Sequence, residues 1–412
     1  MKKILMIGAG IGQIPLSKII KQRGYYLIVV TIPGKYPCIE LADKVYYIDI
    51  YNREEILNIA RFEKIDAVIS DQNDLMMPTV AFVAENMNLP GNTFSQVEAY
   101  CNKNIFRDNC DKLSIPVPKH ICVSSVEIPK DFENVPFPWM VKPEDSQSSI
   151  GVAKVNNIEE YFQAIDIALK CSKNKKAIVE EFFVGKEIVV EGFIYKGKYY
   201  NLGIADRKYF NLPNIFIPSQ TIFPSLISHK ITNRCLDYEQ RMCEYINPNF
   251  AIVHSEYLIN EDTNEIRIVE SALRGGGVYI SSHLVPLSCG ININDYLLDC
   301  ALGIESDFSS MYINKKEKSA AYICFYLEEG TIKLIEGIED IKKEKSVAMV
   351  ALDDLSIGQS IKKMTYKGMR QGPIILYGKD RASVEKSINA IQEILKIQVS
   401  TLKNVNGNIH WE

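Results

Sequence analysis

The sequence predicts a mixed α/β and α+β protein in which an open, mostly parallel sheet precedes strand-rich segments. Three observations support this prediction. Short buried strands alternate with amphipathic helices over the first hundred residues, two acidic strands form a hairpin around residue 260, and strands return in the last hundred residues. The 412 residues suffice for about two to four domains, and the 47% apolar content can fill their cores.

The composition argues against several classes of protein. The formal net charge of −4, with basic residues dispersed among acids, is not that of a dedicated nucleic-acid binder. The ten cysteines include no C-x-x-C pair, and the chain opens directly on a strand, so we expect a reduced, cytoplasmic protein without a signal peptide. No apolar run reaches the ~18 residues of a membrane-spanning helix, and we therefore expect no membrane partner.

The first elements form a βαβ unit. Lys3–Gly8 is an apolar strand, Ile14–Gly24 has helical spacing and ends in glycine, and Tyr26–Ile32 is a second buried strand. The pattern continues with a helix at Arg53–Glu63 and a strand at Ala67–Ser70. Because strands joined by helices run parallel in one sheet, this region predicts an open parallel sheet.

Glycines after the first strand raise the alternative of a dinucleotide oxidoreductase. Gly8, Gly10 and Gly12 lie between the first strand and its helix. However, Gln13 stands where the third glycine of G-x-G-x-x-G belongs, and the second strand ends in 31–33, TIP, instead of the acid that binds the ribose of NAD. The incomplete pattern disfavours a nicotinamide cofactor.

Two pairs of charged residues each have two interpretations. Asp71 and Asp74 lie in the segment of loop, helix and turn that closes the first domain, where either can line a substrate cleft or cap a helix. Arg207 and Lys208 lie in a strand-rich segment, where they either hold an anionic substrate or cap a surface hairpin. Both questions are left open by the sequence.

Two lysines lie beside predicted elements, and one of them precedes a loop suited to phosphate binding. Lys103 lies at the start of a predicted helix, and Lys142 ends a strand. The loop after Lys142 is small and polar and includes Ser149 and Gly151, so backbone donors and hydroxyls can approach phosphate oxygens. The alternatives are a surface charge at a helix start and an ordinary hairpin.

The segment Ala177–Phe193 is interpreted as one strand. An extended strand offers the edge of an adenine ring a backbone acceptor and a backbone donor two or three residues apart. The alternative is an unremarkable edge strand whose aromatic residues, such as Phe182, belong to the core.

Two acidic strands, Ala251–Asn260 and Ile266–Gly277, are the most informative part of the chain. Each points one carboxylate, Glu256 or Glu270, out of an apolar run, and the turn between them predicts a hairpin whose carboxylates face one cavity. Magnesium keeps waters and phosphates among its ligands, so two carboxylates suit a metal–nucleotide site. The alternative is a solvated hairpin with a polar edge. His254 alternates onto the same face as Glu256 and is expected to hydrogen-bond near the metal.

In this order, these segments resemble the ATP-grasp superfamily of carboxylate–amine ligases, which includes biotin carboxylase, carbamoyl phosphate synthetase and phosphoribosylglycinamide synthetase. The resemblance implies a Rossmann-like domain at 1–101, a two-lobed ATP-grasp domain at 102–305 with a mobile flap lobe at about 118–183, and a small C-terminal α+β domain at 306–412. It also implies that this last domain is largely structural.

The resemblance assigns roles to individual residues. It implies that Glu256 and Glu270 bind the metal, and that Arg274 and Glu270 are catalytic. Ala272 departs from the family pattern E-x-N-x-R, because it stands where the asparagine would be. The residues implied to bind ATP are Lys103, Lys142, Ser149, Gly151, Glu180, Glu181, Phe183 and Glu187, and those implied to bind substrate are Arg274, Gly275, Gly276 and His283. The other interpretation of His283 is a loop histidine near a helix start.

The function implied by this resemblance is ATP-dependent ligation. The enzyme would activate a carboxylate as an acyl phosphate and transfer it to an amine, with ATP and Mg²⁺, or Mn²⁺ as an alternative cation. Its partners would be a small-molecule carboxylate and a small-molecule amine, and a homodimer is one assembly that the resemblance allows. A bicarbonate-activating carboxylase and a non-catalytic nucleotide-binding protein are the alternatives.

Overall fold

The computed structural model describes residues 1–145, 150–212, 216–277, 279–305, 307–309, 317–400, 406–407 and 409–412. Ser149, which the resemblance implies to bind ATP, lies outside the described residues. Within them the strands form four sheets. None of the helices in this part of the chain is both long and apolar enough to cross a membrane.

The N-terminal sheet is parallel, as the sequence predicts. Its strands follow the order β3-β2-β1-β4, and every neighbouring pair is parallel. Strand β3 was not predicted, because its four residues are half-buried or exposed and give no apolar run. The elements are β1 (Lys3–Ile7), α1 (Ile14–Gln22), β2 (Tyr26–Thr31), β3 (Lys44–Tyr47), α2 (Arg53–Glu63), β4 (Ala67–Ile69) and α3 (Met77–Asn86).

Two consecutive helices, α4 (Phe94–Cys101) and α5 (Lys103–Lys112), lead out of this sheet. Asn102 separates them, and its side chain accepts hydrogen bonds from the backbone N–H groups of Asn104 and Ile105 at 3.0 and 3.1 Å. This N-cap satisfies donors that the first turn of a helix leaves without partners. It therefore fixes Lys103 in the first turn of α5.

The segment predicted to be the flap lobe contains a small antiparallel sheet with its own core. Its strands follow the order β5-β8-β6-β7, and α6 packs against them. The ring of Trp139 meets those of Phe132 and Tyr161 edge to face, with centroids 5.3 and 5.6 Å away. Such buried aromatic contacts stabilise the lobe as a separate unit. The elements are β5 (His120–Val123), β6 (Trp139–Pro143), β7 (Ala153–Val155), α6 (Ile158–Cys171) and β8 (Ala177–Glu181).

The central sheet carries the acidic hairpin. The prediction of one strand over 177–193 is wrong: β8 ends at Glu181, β9 begins at Lys186, and the two strands belong to different sheets. Residues 182–185 are therefore a connection between the flap lobe and the central sheet. The next elements are β9 (Lys186–Tyr195), β10 (Lys198–Tyr209), β11 (Pro218–Phe223), α7 (His229–Ile246), β12 (Phe250–Asn260), β13 (Glu265–Ala272), α8 (Val285–Cys289) and α9 (Ile293–Ala301).

The C-terminal segment extends this same sheet. The strand order β13-β12-β9-β10-β11-β14-β18-β16 runs across the predicted boundary at 305/306, and a second sheet, β17-β15-β19-β20, packs nearby. The last elements are β14 (Ser319–Leu327), β15 (Gly330–Glu336), α10 (Ile338–Lys343), β16 (Val347–Val350), β17 (Ser360–Ile361), β18 (Gln371–Gly378), α11 (Arg381–Ile394), β19 (Lys396–Ser400), β20 (Asn406–Gly407) and β21 (Ile409–His410).

Candidate active site

The acidic hairpin forms as predicted. Glu256 of β12 and Glu270 of β13 are direct partners across the antiparallel pair, and the register shifts immediately after Glu256. Both carboxylates line a cavity of about 550 Å³. Residues opposite each other in such a pair have side chains on the same face, which is why the two carboxylates share the cavity. This volume lies within the range of small-molecule binding sites.

Arg207 links two carboxylates in the cavity wall. Its Nη1 atom lies 2.8 Å from Glu187 Oε1 and 2.5 Å from Glu256 Oε1, and Tyr209 also donates to Glu187. Burial raises the pKa of Glu187 to about 7, although the charge of Arg207 opposes this. Burial also disfavours the charged form of Glu256, but Arg207 and His254 outweigh burial and hold its pKa well below the usual value.

A buried histidine lies beside the hairpin carboxylate. His254 Nε2 lies 3.3 Å from Glu256 Oε1, and its Nδ1 atom contacts Glu191. Sequence reasoning anticipated the first contact and missed Glu191. The sequence could have indicated Glu191, because Glu187 and Glu191 are four residues apart on one strand and therefore face the same side.

A buried group of three charges connects the hinge to the hairpin. Lys142 Nζ lies 2.6 Å from Glu180 Oε2, and Arg107 Nε donates to Glu180 Oε1 over 2.9 Å. Burial opposes ionisation of Glu180, but Arg107 and Lys142 outweigh it and lower the pKa to about 2. Arg107 also donates to the backbone carbonyls of Ile268 and Val269, next to Glu270. This arginine was not predicted.

Lys103 and Arg107 lie four residues apart on α5, so both point from one helix face towards the hairpin. Lys103 Nζ lies 3.7 Å from Glu270 Oε1. Lys103 and Lys142 both line the cavity. The predicted phosphate-binding lysines therefore lie in the same cavity as the hairpin carboxylates.

The hinge after β8 borders the same cavity. Residues 180–185 line it, together with Glu187 at the start of β9. The backbone N–H of Glu181 donates to Lys119 over 2.9 Å, and that of Phe182 donates to Pro138 over 3.1 Å. The next backbone N–H along the chain is that of Phe183, and no described residue accepts a hydrogen bond from it. Phe183 thus offers the donor that an adenine edge needs.

The structure decides the roles left open for two aspartates. Asp74 lines the cavity and receives a double hydrogen bond from Arg274, with Nε–Oδ1 at 3.0 Å and Nη2–Oδ2 at 2.7 Å. Asp71 is fully buried outside that lining. Neither caps the helix: Asn73 accepts from the N–H of Leu75.

The glycine run after Arg274 corrects an expectation. The amides of Gly275 and Gly276 were assigned to substrate, but they donate to the buried carboxylates of Asp71 and Glu191, over 2.9 and 3.4 Å. A Cβ atom at Gly276 would lie 2.4 Å from Glu191 Oε1. Close packing requires glycine at both positions, and neither residue lines the cavity. Gly277 does line the cavity.

Two further predicted residues lie outside the cavity lining. Gly151 has a φ of +73° and packs against Pro143 and Cys171, whereas its neighbour Val152 lines the cavity. His283 lies in a short π-helical turn, Ile280–Leu284, and its Nδ1 atom is 2.9 Å from Ser282 Oγ. Their predicted roles in binding ATP and substrate stay predictions.

Distant parts of the chain complete the cavity. Of the basic pair at 207 and 208, Arg207 lies in the cavity, whereas Lys208 is exposed and pairs with Glu412. The C-terminal segment, which the resemblance implies to be largely structural, contributes Tyr322 of β14 and Lys367 to the cavity lining. No local pattern around Lys367 indicated this position.

The donors in the cavity fit a magnesium nucleotide. The described residues contain no cluster of three or more histidine, cysteine, aspartate or glutamate side chains arranged for a metal. Glu256 and Glu270 supply two hard oxygen ligands, and a magnesium ion normally completes its octahedron with waters and phosphate oxygens. The lysines beside them provide charges suited to those phosphates.

Comparisons with known proteins agree with this geometry. A profile of the ATP-grasp domain family matches residues 135–282. Alanine–anticapsin ligase of Bacillus subtilis is 23% identical over 385 residues, which include 84% of this chain and 79% of that protein. The crystal structure of an L-amino acid ligase from Bacillus licheniformis is similar with a TM-score of 0.81 at 20% identity, covering 97% of this chain and 99% of that chain.

A second similar structure contains a nucleotide. It is the biotin carboxylase domain of 2-oxoglutarate carboxylase from Hydrogenobacter thermophilus, solved with MgADP, ADP and bicarbonate. Its TM-score is 0.74 at 15% identity, and the match covers 97% of this chain and 91% of that chain. Residues 135–282 therefore match the ATP-grasp domain family, and the chain as a whole has the fold of the L-amino acid ligase and of the biotin carboxylase domain.

Proposed function

We propose that this protein is a carboxylate–amine ligase that uses ATP to activate the carboxylate of one amino acid and joins it to the amine of another. The observation that carries the proposal is the opposition of Glu256 and Glu270 in a cavity that also holds Lys103 and Lys142. The names of two similar proteins, alanine–anticapsin ligase and L-amino acid ligase, support amino acids as the substrate class.

The nucleotide would lie between the hinge and the hairpin. The N–H of Phe183 and a neighbouring hinge carbonyl at Glu181 would meet the edge of the adenine, and Glu187 would accept from the ribose. Lys103 and Lys142 would bind the phosphates, each as a point charge. Lys142 is held for this role by Glu180, which is in turn held by Arg107.

Glu256 and Glu270 would hold magnesium, which neutralises phosphate oxygens as negative charge shifts during phosphoryl transfer. Arg207 and His254 hold Glu256 in place and ionised. Because Ala272 is apolar and buried, the chain offers no side-chain oxygen at this position of the hairpin. We propose that water or phosphate supplies the corresponding ligand.

The chemistry has two steps. In the first, an oxygen of the substrate carboxylate attacks the terminal phosphorus of ATP, the bond to the bridging oxygen breaks, and ADP leaves. In the second, the nitrogen of the amine attacks the acyl carbon, inorganic phosphate leaves, and the amine loses a proton to give the amide. Arg274, oriented by Asp74, would bind the carboxylate and stabilise the tetrahedral oxyanion.

The predicted domains have separate roles in this proposal. The Rossmann-like domain at 1–101 would supply Asp74 to orient Arg274, and the ATP-grasp domain at 102–305 would bind the nucleotide. The flap lobe at about 118–183 would carry Lys142 over the phosphates. The C-terminal domain at 306–412 would close the substrate side with Tyr322 and Lys367.

Release of ADP tests the proposal. Amino acids are supplied in pairs, one as the acid and one as the amine, together with ATP and Mg²⁺. The rate of ADP release is measured for the wild-type protein and for the variants Glu270→Gln and Arg274→Ala. Loss of one such positioned charge typically costs ~10²-fold or more in rate, so we expect both variants to lose turnover. Glu261→Gln, at an exposed position of the hairpin turn, is the matched control and should keep wild-type turnover.

Other outcomes identify other functions. Bicarbonate-dependent ADP release without an organic acid would identify a bicarbonate-activating enzyme. Binding of ATP without turnover on any acid would identify a nucleotide-binding protein. Near-normal turnover of either variant would contradict the assignment of its residue.

A further inference from the structure

The cavity contains one cation that differs from the others. Five lysine and arginine side chains line it within the described part of the chain, and four of them pair with carboxylates. The pairs are Lys103 with Glu270, Lys142 with Glu180, Arg207 with Glu187 and Glu256, and Arg274 with Asp74. Among the described residues, no carboxylate lies within ion-pair distance of the fifth, Lys367.

Lys367 lies on the side of the cavity formed by the C-terminal segment. It is half-buried and begins a short 3₁₀ turn, Lys367–Met369, between β17 and β18. Burial lowers its pKa to about 7, and the charge of Arg370 acts in the same direction. Arg207 and Arg274 lower it further and Glu256 raises it, and all three of these residues line the same cavity as Lys367.

The turn that carries Lys367 is anchored through the contacts of Arg370. Arg370, in the same turn, donates to the backbone carbonyl of Pro218 and lies over the ring of Tyr322, 5.6 Å from its centroid. Lys367 is half-buried and has no carboxylate partner among the described residues, so a ligand that carries negative charge is favoured beside it.

The surroundings of Lys367 are suited to an apolar group. The same cavity is lined by apolar and aromatic side chains from the loop after β10 and from β14, namely Phe210, Leu212, Phe216 and Tyr322. Arg370, three residues after Lys367, lies over the ring of Tyr322. Lys103 and Lys142 come from other segments, α5 and β6, which precede the hinge.

We propose that Lys367 binds the carboxylate of the amine-bearing substrate, and that this substrate is an α-amino acid with an apolar side chain packed against Phe210, Leu212 and Phe216. The inference rests on the proposed ligase function and specifies its acceptor. A carboxylate at Lys367 satisfies the cation by a charge-assisted hydrogen bond, while the acceptor nitrogen is free to reach the acyl carbon near Arg274. The product then keeps a free carboxylate, as in a dipeptide.

Kinetics with a matched pair of acceptors test the proposal. The best apolar amino-acid acceptor from the ADP-release panel is compared with the same amino acid carrying an α-carboxamide in place of its carboxylate. Both acceptors are assayed with wild type, with Lys367→Met and with Lys363→Met. Lys363 is an exposed lysine in the same segment and serves as the control. We expect Lys367→Met to raise KM for the free amino acid at least about tenfold, the loss expected for one hydrogen bond to a charged group. KM for ATP and for the amide should change less than twofold, and Lys367→Arg should restore part of the affinity.

Results that contradict the role of Lys367 differ from results that contradict the ligase function. If wild type uses the amide as well as the free amino acid, or if Lys367→Met lowers kcat equally for both without changing KM, Lys367 is not a carboxylate anchor. A protein that releases no ADP with any acid instead contradicts the ligase function.

A second measurement does not depend on turnover. Acylation of Lys367 and Lys363 by acetic anhydride is followed by peptide mass spectrometry, in the presence of 4-methylpentanoate or of 4-methylpentanamide. We expect the carboxylate, and not the amide, to protect Lys367, and neither to protect Lys363. Equal labelling of Lys367 under all conditions would overturn the inference.

Discussion

At the scale of single residues, the buried charges around the hinge show the strongest interdependence. Glu180 is the only carboxylate that contacts both Arg107 and Lys142 among the described residues, and all three side chains are buried. Removing the shared anion leaves two buried cations that repel each other. The network is therefore expected to depend on Glu180 more than on either cation.

We predict that Glu180→Gln lowers the free energy of unfolding by ~3–5 kcal/mol, the usual cost of breaking a buried ion pair from one side. Urea denaturation measures this quantity. Glu181→Gln is the matched control, because Glu181 accepts a hydrogen bond from the backbone N–H of Lys119 that a glutamine oxygen can also accept. A loss below about 1 kcal/mol in Glu180→Gln would show that the network does not stabilise the fold.

A second buried carboxylate predicts a dependence of stability on pH. Glu239 of α7 lies beneath the hairpin, where it accepts from Tyr257 Oη over 2.5 Å, and burial raises its pKa from 4.5 to about 7. The folded state therefore binds this proton more tightly than the unfolded state. The proton on Glu239 contributes about 3 kcal/mol to the free energy of unfolding. This contribution is fully present below pH 4.5 and is lost as the pH rises through 7.

Glu239→Gln removes this titration. We expect the stability of the variant, relative to wild type, to increase by up to about 3 kcal/mol between pH 4.5 and pH 8 in chemical denaturation. Glu244→Gln, an exposed position on the same helix, should follow wild type at every pH. Parallel pH profiles for wild type and Glu239→Gln would mean that Glu239 is ionised in the folded protein.

At the scale of elements, the acidic hairpin depends on the glycine run that follows it. A Cβ atom at Gly276 would lie 2.4 Å from Glu191 Oε1 and 2.8 Å from His254 Nδ1, so an alanine must displace the pair that holds Glu256. Among the described residues, no atom lies within 4 Å of a Cβ atom built at Gly277. The two adjacent glycines thus form a matched pair for substitution.

We predict that Gly276→Ala lowers the free energy of unfolding by ~1–3 kcal/mol, the usual cost of overpacking, and weakens magnesium-dependent nucleotide binding. Gly277→Ala should change both quantities little. Denaturation and titration of a fluorescent ATP analogue measure them. Equal effects of the two substitutions would show that the contact between Gly276 and the Glu191–His254 pair is unimportant.

Elements with a regular pattern were predictable from the sequence, and those defined by tertiary contacts were not. The parallel strands and the hairpin have clear apolar periodicity, so the pairing of Glu256 with Glu270 was anticipated. The break between β8 and β9 was missed because residues 182–185 include apolar side chains that continue the strand pattern. Arg107 follows Lys103 by one helical turn, a spacing that could have indicated its position.

At the scale of the whole molecule, the cavity is assembled from segments far apart in the chain. Asp74 comes from the N-terminal domain, Arg274 follows the hairpin, and Lys367 comes from the C-terminal segment. No local sequence pattern indicates that these distant segments lie together in the fold. The pairing of Arg274 with Asp74 and the position of Lys367 were therefore not predicted. The extension of the central sheet by β14, β18 and β16 brings the C-terminal segment to the cavity.

The proposed ligase requires a divalent cation and a nucleotide to bind together between the hairpin and the hinge. Crystals grown with Mn²⁺ and ADP test it directly, because manganese can replace magnesium and its anomalous scattering locates the metal. We predict an anomalous peak in contact with oxygens of both Glu256 and Glu270, with the adenine beside Phe183. Nucleotide bound elsewhere, or a manganese peak away from these two carboxylates, would contradict the account.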